Sequence, residues 1–184
     1  MRSLRQNMER LEGWYPHLFL EPHLVAAVTV LSDYSDSPAS IHVHGENIAQ
    51  GAGTEEEFRL NLSWQLPVQA KAERMRATMQ RKPLVEMAAT AVALMVAHRV
   101  LDLGEVDVTA YGDRADFRAL RRRCVLEISG TEVASEFDRR HREKVAQAMT
   151  NPFGWDAYVI VCLFSAKGHR LRISRHPYRE ESDE

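Results

Sequence analysis

One apolar segment, residues 84–101, sets the strongest limit on how this chain can fold. A helix formed by this segment would be apolar on almost every side. Its only charged or titratable residues are Glu86, His98 and Arg99. A helix that is apolar nearly all round must be covered nearly all round. The segment also lacks the roughly 20 uninterrupted apolar residues that a membrane span needs. The sequence therefore predicts a buried helix that lies between a sheet and a second layer.

Length and composition are those of a globular protein. The chain has 184 residues, of which 45% are hydrophobic and 27% charged, so it can bury a core and is not globally disordered. Its first residues are polar and lead into no apolar signal region. Cys124 and Cys162 both lie within apolar, strand-like segments, which is typical of buried thiols in a reducing compartment. We expect a cytoplasmic protein with no membrane association, no disulfide and no zinc site.

Residue periodicity predicts an α/β protein without internal repeats. In the N-terminal part we expect a helix over residues 1–16, a hairpin of residues 25–31 and 40–44, a strand over residues 58–64 and a helix over residues 67–81. The later part reads as helix, three strands, helix and strand. Those strands cover residues 105–111, 115–121, 123–128 and 158–164, the second helix covers residues 133–149, and residues 171–174 form a short edge strand. The run 158–164 is apolar throughout, which indicates a central strand.

Three acidic residues stand out in this later part. Glu86 interrupts the apolar helix, while Asp116 and Glu127 lie on two successive predicted strands. If a tight hairpin about Arg121–Arg122 joins those strands, the two acids lie opposite each other and project on the same side. Carboxylates held this close repel each other and lose hydration, unless a divalent cation, a shared proton or a basic partner compensates them.

The element order and the three acids together resemble the PD-(D/E)xK nuclease superfamily, which has the restriction-endonuclease-like fold. The resemblance covers residues 84–165. It implies that Glu86, Asp116 and Glu127 hold Mg²⁺ or Mn²⁺ and that Asp116 and Glu127 are catalytic. In such nucleases the metal orients a water molecule and stabilises charge that develops on the scissile phosphate.

The chain departs from the superfamily motif at two positions. Ala115 replaces the proline, which is a minor change, and Ser129 replaces the lysine, whose charge a serine cannot supply. Some members carry the basic residue on the following helix. The resemblance then makes Lys144 the catalytic cation, with Arg140 as the second choice. Residues 139–147 resemble the substrate-facing helix of some members, with Gln147 as a polar contact.

Charge is unevenly distributed although the net charge is only −2. Basic residues cluster at 121–123, 139–144 and 167–179, and acidic residues cluster at 55–57 and 180–184. If the basic clusters share one face, they can contact phosphates; otherwise they are solvated surface charges. The residues expected to contact nucleic acid are Arg121, Arg122, Arg139, Arg140 and Gln147.

Ordinary structural roles remain open for the same residues. Arg114, Arg118 or Arg123 could balance Asp116 and Glu127, Lys82 or Arg81 could pair with Glu86 near a helix N-terminus, and Lys144 could be solvated. His42 and His44 share a strand face and could bind a metal, but no third ligand lies nearby in sequence. Ser129 lacks the surroundings of a nucleophile and is more typical of a turn before a helix.

We therefore expect an α/β protein with a restriction-endonuclease-like core over residues 84–179. An N-terminal α+β extension covers residues 1–83, and residues 180–184 form an acidic tail. The first functional hypothesis is a metal-dependent nuclease that acts on DNA. The second is a catalytically inactive nuclease-fold subunit that binds nucleic acid or scaffolds a larger complex, with a protein partner or a second copy. An unrelated α/β domain with an accidental motif is the third.

Overall fold

The computed structural model describes residues 1–48 and 53–178. The strands are β1 (Arg2–Asn7), β2 (Ala39–Glu46), β3 (Glu55–Ser63), β4 (Asp107–Val108), β5 (Phe117–Ala119), β6 (Cys124–Thr131), β7 (Asp156–Leu163) and β8 (His169–His176). The helices are α1 (Arg10–Trp14), α2 (Glu21–Ser32), α3 (Leu66–Thr78), α4 (Arg81–Arg99) and α5 (Phe137–Ala148). The predicted α/β class is confirmed. None of the described helices is long and apolar enough to cross a membrane.

All eight described strands form one mixed sheet in the order β1-β3-β2-β8-β7-β6-β5-β4. The pairs β1–β3, β2–β8 and β6–β7 are parallel, and the other neighbours are antiparallel. Strands of the N-terminal segment thus continue the sheet of the later segment through β2 and β8. The predicted boundary at residue 83 stays a prediction, and the acidic tail 180–184 lies outside the described residues.

Helices cover both faces of the sheet and divide the side chains of β6 between two apolar clusters. Cys124, Leu126 and Ile128 belong to the larger cluster, which contains α2 and α4. Val125 belongs to the smaller cluster beneath α5. Since strand side chains alternate between faces, Glu127 and Ser129 project toward α5. This alternation decides which helix can reach the predicted acids.

Glycine at position 130 brings α4 close to β6. A Cβ atom built there would lie 2.5 Å from the backbone oxygen of Val85, so any larger residue would push the helix away. Glu86 is the next residue on α4 and is therefore held beside the end of β6. The predicted helix over residues 84–101 is confirmed, and it is buried along most of its length.

The N-terminal predictions were partly wrong. Residues 25–31, predicted as a strand, lie in α2 and are buried on every side. A β-branched apolar run suits a central strand and an enclosed helix equally, and periodicity cannot separate them. The hairpin pairs β2 with β3 instead. Residues 1–16 contain β1 before the five-residue α1, so the single helix predicted there was wrong as well.

The later strands exist but differ in length and position from the prediction. Residues 105–111 contribute only the two-residue β4, and residues 115–121 only the three-residue β5. The turn about Arg121–Arg122 is present as a short 3₁₀ segment. Residues 171–174 lie in β8, which is a central strand between β2 and β7, so the predicted edge position was wrong.

Candidate functional site

The free edge of β6 is where the predicted acids meet. The short β5 pairs with β6 only at Cys124–Leu126, so the next outward N–H groups of β6 need other partners. The Asp116 carboxylate accepts a hydrogen bond from the Ile128 N–H at 2.7 Å, and the Glu86 carboxylate accepts one from the Gly130 N–H at 2.8 Å. These two donors are two residues apart, about 7 Å along the strand. Two carboxylates from distant parts of the chain are therefore neighbours.

Glu127 projects from the same part of β6 toward α5 and is completely buried. Lys144 forms an ion pair with its Oε1 atom. Its Oε2 atom is also buried and has no hydrogen-bond partner within the described part of the chain. A buried carboxylate oxygen without a partner is costly, and the most direct remedies are a proton or a cation.

The electrostatics follow from this burial. The pKa of Glu127 is raised to about 7, chiefly by loss of hydration and then by the Asp116 charge, while Lys144 opposes the shift. The pKa of Asp116 is also raised, mainly by lost hydration, although the residue keeps an exposed surface. The Glu86 charge raises both values. All three carboxylates therefore act on one another, as a shared site requires.

Helix α5 supplies two cations one helical turn apart, on the face that covers β6. Lys144 pairs with Glu127 and also donates to Gln147 Oε1 at 3.3 Å. The Arg140 guanidinium donates to Glu86 Oε1 at 3.1 Å and to Ser129 Oγ at 3.2 Å. Arg140 thus places its charge beside Ser129. We call Glu86, Asp116, Glu127, Arg140 and Lys144 the acid–base cluster.

Several of the ordinary roles considered for these residues are wrong. Arg114 donates to Thr150, and Arg118 lies over the Phe153 ring, so neither balances Asp116 or Glu127. Arg81 pairs with Asp33 and Glu132, and it leaves Glu86 to Arg140. Lys144 is engaged with Glu127 and is not a free surface side chain. Asp116 has no ion pair among the described residues; its carboxylate accepts only the Ile128 N–H, and the Lys144 charge acts on it without direct contact.

The donor set suits a hard divalent cation, because Mg²⁺ and Mn²⁺ prefer carboxylate oxygens. The unpartnered Glu127 Oε2 and the exposed Asp116 are the two groups most available to one. As the side chains are placed, however, no three His, Cys, Asp or Glu residues among 1–48 and 53–178 converge closely enough to hold an ion. His42 and His44 contact Glu57 and Glu46 and form no such group either. Lys144 occupies the other oxygen of the Glu127 carboxylate, Oε1.

The residues predicted to contact nucleic acid fall into two separate places. Arg139, Arg140 and Gln147 lie on α5 beside the cluster. Arg121 and Arg122 lie in the turn before β6, where they pair with Glu105 and Asp102. Three residues of β6, 124–126, separate this turn from Glu127, so the two places lie at least about 10 Å apart along the strand. The five residues expected to contact nucleic acid therefore lie in two basic regions, one at the start of β6 and one on α5.

Sequence analysis missed a buried polar group behind α5. Ser174 Oγ lies 2.7 Å from the Nε2 atoms of both His141 and His176. Burial lowers the pKa of His141 to about 4, so this imidazole is neutral at physiological pH and anchors α5 to β8. The spacing of Phe137, His141 and Ala148, the buried residues of α5, was the available signal, since it marks the inner face of an amphipathic helix.

The fold and the cluster define an α/β protein with carboxylates and cations gathered at a sheet edge. No family model, curated protein or solved structure matched the chain. Its functional interpretation depends on the geometry of its own residues.

Proposed function

We propose that this protein is a metal-dependent phosphodiesterase that acts on nucleic acid, with DNA as the first substrate class to test. One observation carries the proposal. Asp116, from the segment before β5, and Glu86, from α4, accept hydrogen bonds from N–H groups of β6, Glu127 projects from the same strand, and α5 adds Lys144 and Arg140. The element order of residues 84–179 supports a restriction-endonuclease-like arrangement, in which a sheet edge of this kind carries the active site.

Each residue of the cluster has a role in the proposal. Asp116 and Glu127 would hold Mg²⁺ or Mn²⁺, with Glu86 as a third carboxylate. The bound ion would activate water and neutralise charge on the phosphate. Lys144, which pairs with Glu127, would supply a positive charge for the attacking water or the phosphate oxygens. Arg140 replaces the charge that Ser129 lacks, because its guanidinium already contacts the Ser129 hydroxyl.

The outer surface of α5 offers a place for the substrate strand. Arg139 and Gln147 lie on this helix at exposed positions beside the cluster. Arg139 is held by Glu136 and Glu143, so a phosphate must compete with these carboxylates. Gln147 accepts a hydrogen bond from Lys144 and keeps its amide available as a donor.

The test is a cleavage assay on plasmid, single-stranded DNA and RNA in the presence of Mn²⁺. Wild type is compared with Glu127→Ala, which removes the buried carboxylate. The matched control is Glu143→Ala, the same substitution at an exposed position of α5. Metal-dependent cleavage that is lost in Glu127→Ala and kept in Glu143→Ala supports the proposal. Cleavage that is absent, or equal in both variants, contradicts it.

A second candidate function is a catalytically inactive subunit that binds nucleic acid or holds a larger complex together. A specific observation favours it: Lys144 and Arg140 already neutralise two of the three carboxylates. Such pairs stabilise a scaffold without any metal. In this case Mn²⁺ leaves the melting temperature unchanged, nucleic acid binds in EDTA, and Glu127→Ala does not weaken that binding.

A further inference from the structure

A second feature lies at the other end of β6, where the chain turns out of β5. An open cavity of about 480 Å³ lies there, and it is lined by Arg122, Arg123, Gly154, Trp155, Asp156 and Tyr178. Arg175 neutralises Asp156, and Asp102 pairs with Arg122. Arg123 is exposed and has no side-chain partner among residues 1–48 and 53–178. The cavity therefore keeps a free positive charge, which favours an anionic ligand.

The backbone at Arg123 gives independent evidence that this side chain is used. Its φ and ψ are +47° and +52°, in the left-handed region. Glycine adopts this conformation without steric cost, and arginine does not. Glycine would suit this backbone better, because the Arg123 side chain forms no hydrogen bond or ion pair within the described ranges 1–48 and 53–178. An unfavourable residue with a free cation indicates a role outside the fold.

Aromatic rings line the same cavity. The Tyr178 ring lies 3.4 Å from the position that a Cβ atom at residue 154 would take. The absence of a side chain at Gly154 therefore leaves room for this ring. Trp155 is partly exposed, and its ring centroid lies 5.2 Å from that of Phe153. The Arg118 guanidinium in turn lies 5.8 Å from the Phe153 centroid.

These side chains form a row that leads toward the acid–base cluster. It runs from the cavity through Trp155 and Phe153 to Arg118, which is two residues beyond Asp116 in the chain. Alternating aromatic rings and arginines are the arrangement that binds unpaired nucleic acid, since bases stack on the rings and phosphates contact the guanidinium groups. A base can reach such a ring only when it has left a duplex stack.

We infer that this cavity binds one nucleotide of an unpaired nucleic-acid strand, with its base against Trp155 and Tyr178 and its phosphate at Arg123. The strand then follows the aromatic row to the acid–base cluster, about 13 Å away along β6. The inference deepens the proposed function and rests on it, because it names unpaired strands as the substrate class. Binding is measured without metal, so it fails or succeeds separately from catalysis.

The experiment is fluorescence anisotropy with labelled oligonucleotides in EDTA. Single-stranded DNA, single-stranded RNA and a DNA duplex of equal length are compared. Trp155→Leu should weaken single-strand binding about tenfold, the range expected for one lost base–aromatic stack. Arg123→Gly should weaken it at least fivefold and reduce the slope of log K against log salt by about 0.7. Arg123→Lys should retain that slope.

Folding is controlled within the same series. Arg123→Gly places glycine in a left-handed conformation, so its melting temperature should equal or exceed that of wild type. Arg59→Ala removes an exposed arginine from β3, remote from the cavity in the sheet order, and should leave binding unchanged.

Three results would overturn the inference: no strand bound by wild type, a duplex bound as tightly as single strands, or Arg123→Gly and Trp155→Leu both within twofold of wild type. Strand binding that depends on Arg123 and Trp155, without metal-dependent cleavage, would keep the inference and reject the proposed catalysis. Cleavage that is lost in Glu127→Ala, together with unchanged binding by the two cavity variants, would support the proposed catalysis and reject the inference.

Discussion

Burial of Glu127 should make the stability of this protein depend on pH in a way that one substitution removes. The side chain is 1% exposed, and the pKa of its carboxyl is raised from 4.5 to about 7. In the folded state it therefore keeps a proton that the unfolded chain releases. The stabilisation is complete below pH 4.5 and is lost as the pH rises through 7.

The magnitude follows from the shift. One unit of pKa corresponds to about 1.4 kcal/mol, so this group alone should lower the free energy of unfolding by about 2–3 kcal/mol between pH 5 and pH 8. Glutamine at the same position keeps the shape but cannot titrate. The difference in unfolding free energy between wild type and Glu127→Gln should therefore change by about 2–3 kcal/mol over this range, while the titration of groups remote from Glu127 cancels.

Urea unfolding at several pH values from 5 to 8 measures this difference. The control is Glu143→Gln, the same change at an exposed glutamate of α5, whose stability curve should run parallel to that of wild type. Saturating Mg²⁺ should remove most of the pH dependence, because a bound cation stabilises the ionised carboxylate. Parallel curves for wild type and Glu127→Gln would refute the account of Glu127 as a strained, titrating acid.

Two further substitutions test the neighbours of Glu127. Lys144→Ala leaves a buried carboxylate without its cation, so urea unfolding should show a loss of about 3 kcal/mol in stability at pH 8 and a smaller loss at pH 5. Cleavage should fall at least a hundredfold, while Mn²⁺ still binds. Unchanged cleavage would show that Lys144 has no part in the mechanism. Gly130→Ala places a methyl group against the Val85 carbonyl, so it should lower the free energy of unfolding by about 2 kcal/mol in the same assay. It should also weaken Mn²⁺ binding, because it displaces Glu86. Unchanged stability would show that α4 and β6 are not in close contact.

Much of the architecture was readable from local patterns. The buried helix α4 and the alternating strand β3 carry clear signals, and each appears within a few residues of its predicted position. The turn about Arg121–Arg122 is also present, although three arginines are not a strong turn signal. Residues 25–31 carry an ambiguous signal, since Val-Ala-Ala-Val-Thr-Val-Leu suits a buried strand and a buried helix alike. The deciding factor is the tertiary environment: α2 packs against α4 and α3 within the larger cluster, and the sequence pattern of one segment does not contain that fact.

The candidate site, like the fold, could be predicted from the sequence only in part. A hairpin between the two strands would bring Asp116 and Glu127 together, and the resemblance to the nuclease superfamily added Glu86 to them. In the structure, Asp116 and Glu86 accept hydrogen bonds from N–H groups two residues apart on β6. The sequence could not predict that Asp116 and Glu86 cap free N–H groups of β6, because this depends on where β5 ends. It also could not predict that Arg140 contacts Ser129, since this contact depends on how α5 lies across the sheet.

The most direct measurement is a calorimetric titration of the protein with Mn²⁺. Three carboxylates that meet at the free edge of β6 should bind one ion per chain, and Asp116→Asn should weaken that binding at least tenfold. Asp102→Asn, at an exposed aspartate paired with Arg122, should bind as wild type does. No detectable binding, or equal affinity in Asp116→Asn and wild type, would contradict a cation site at this edge.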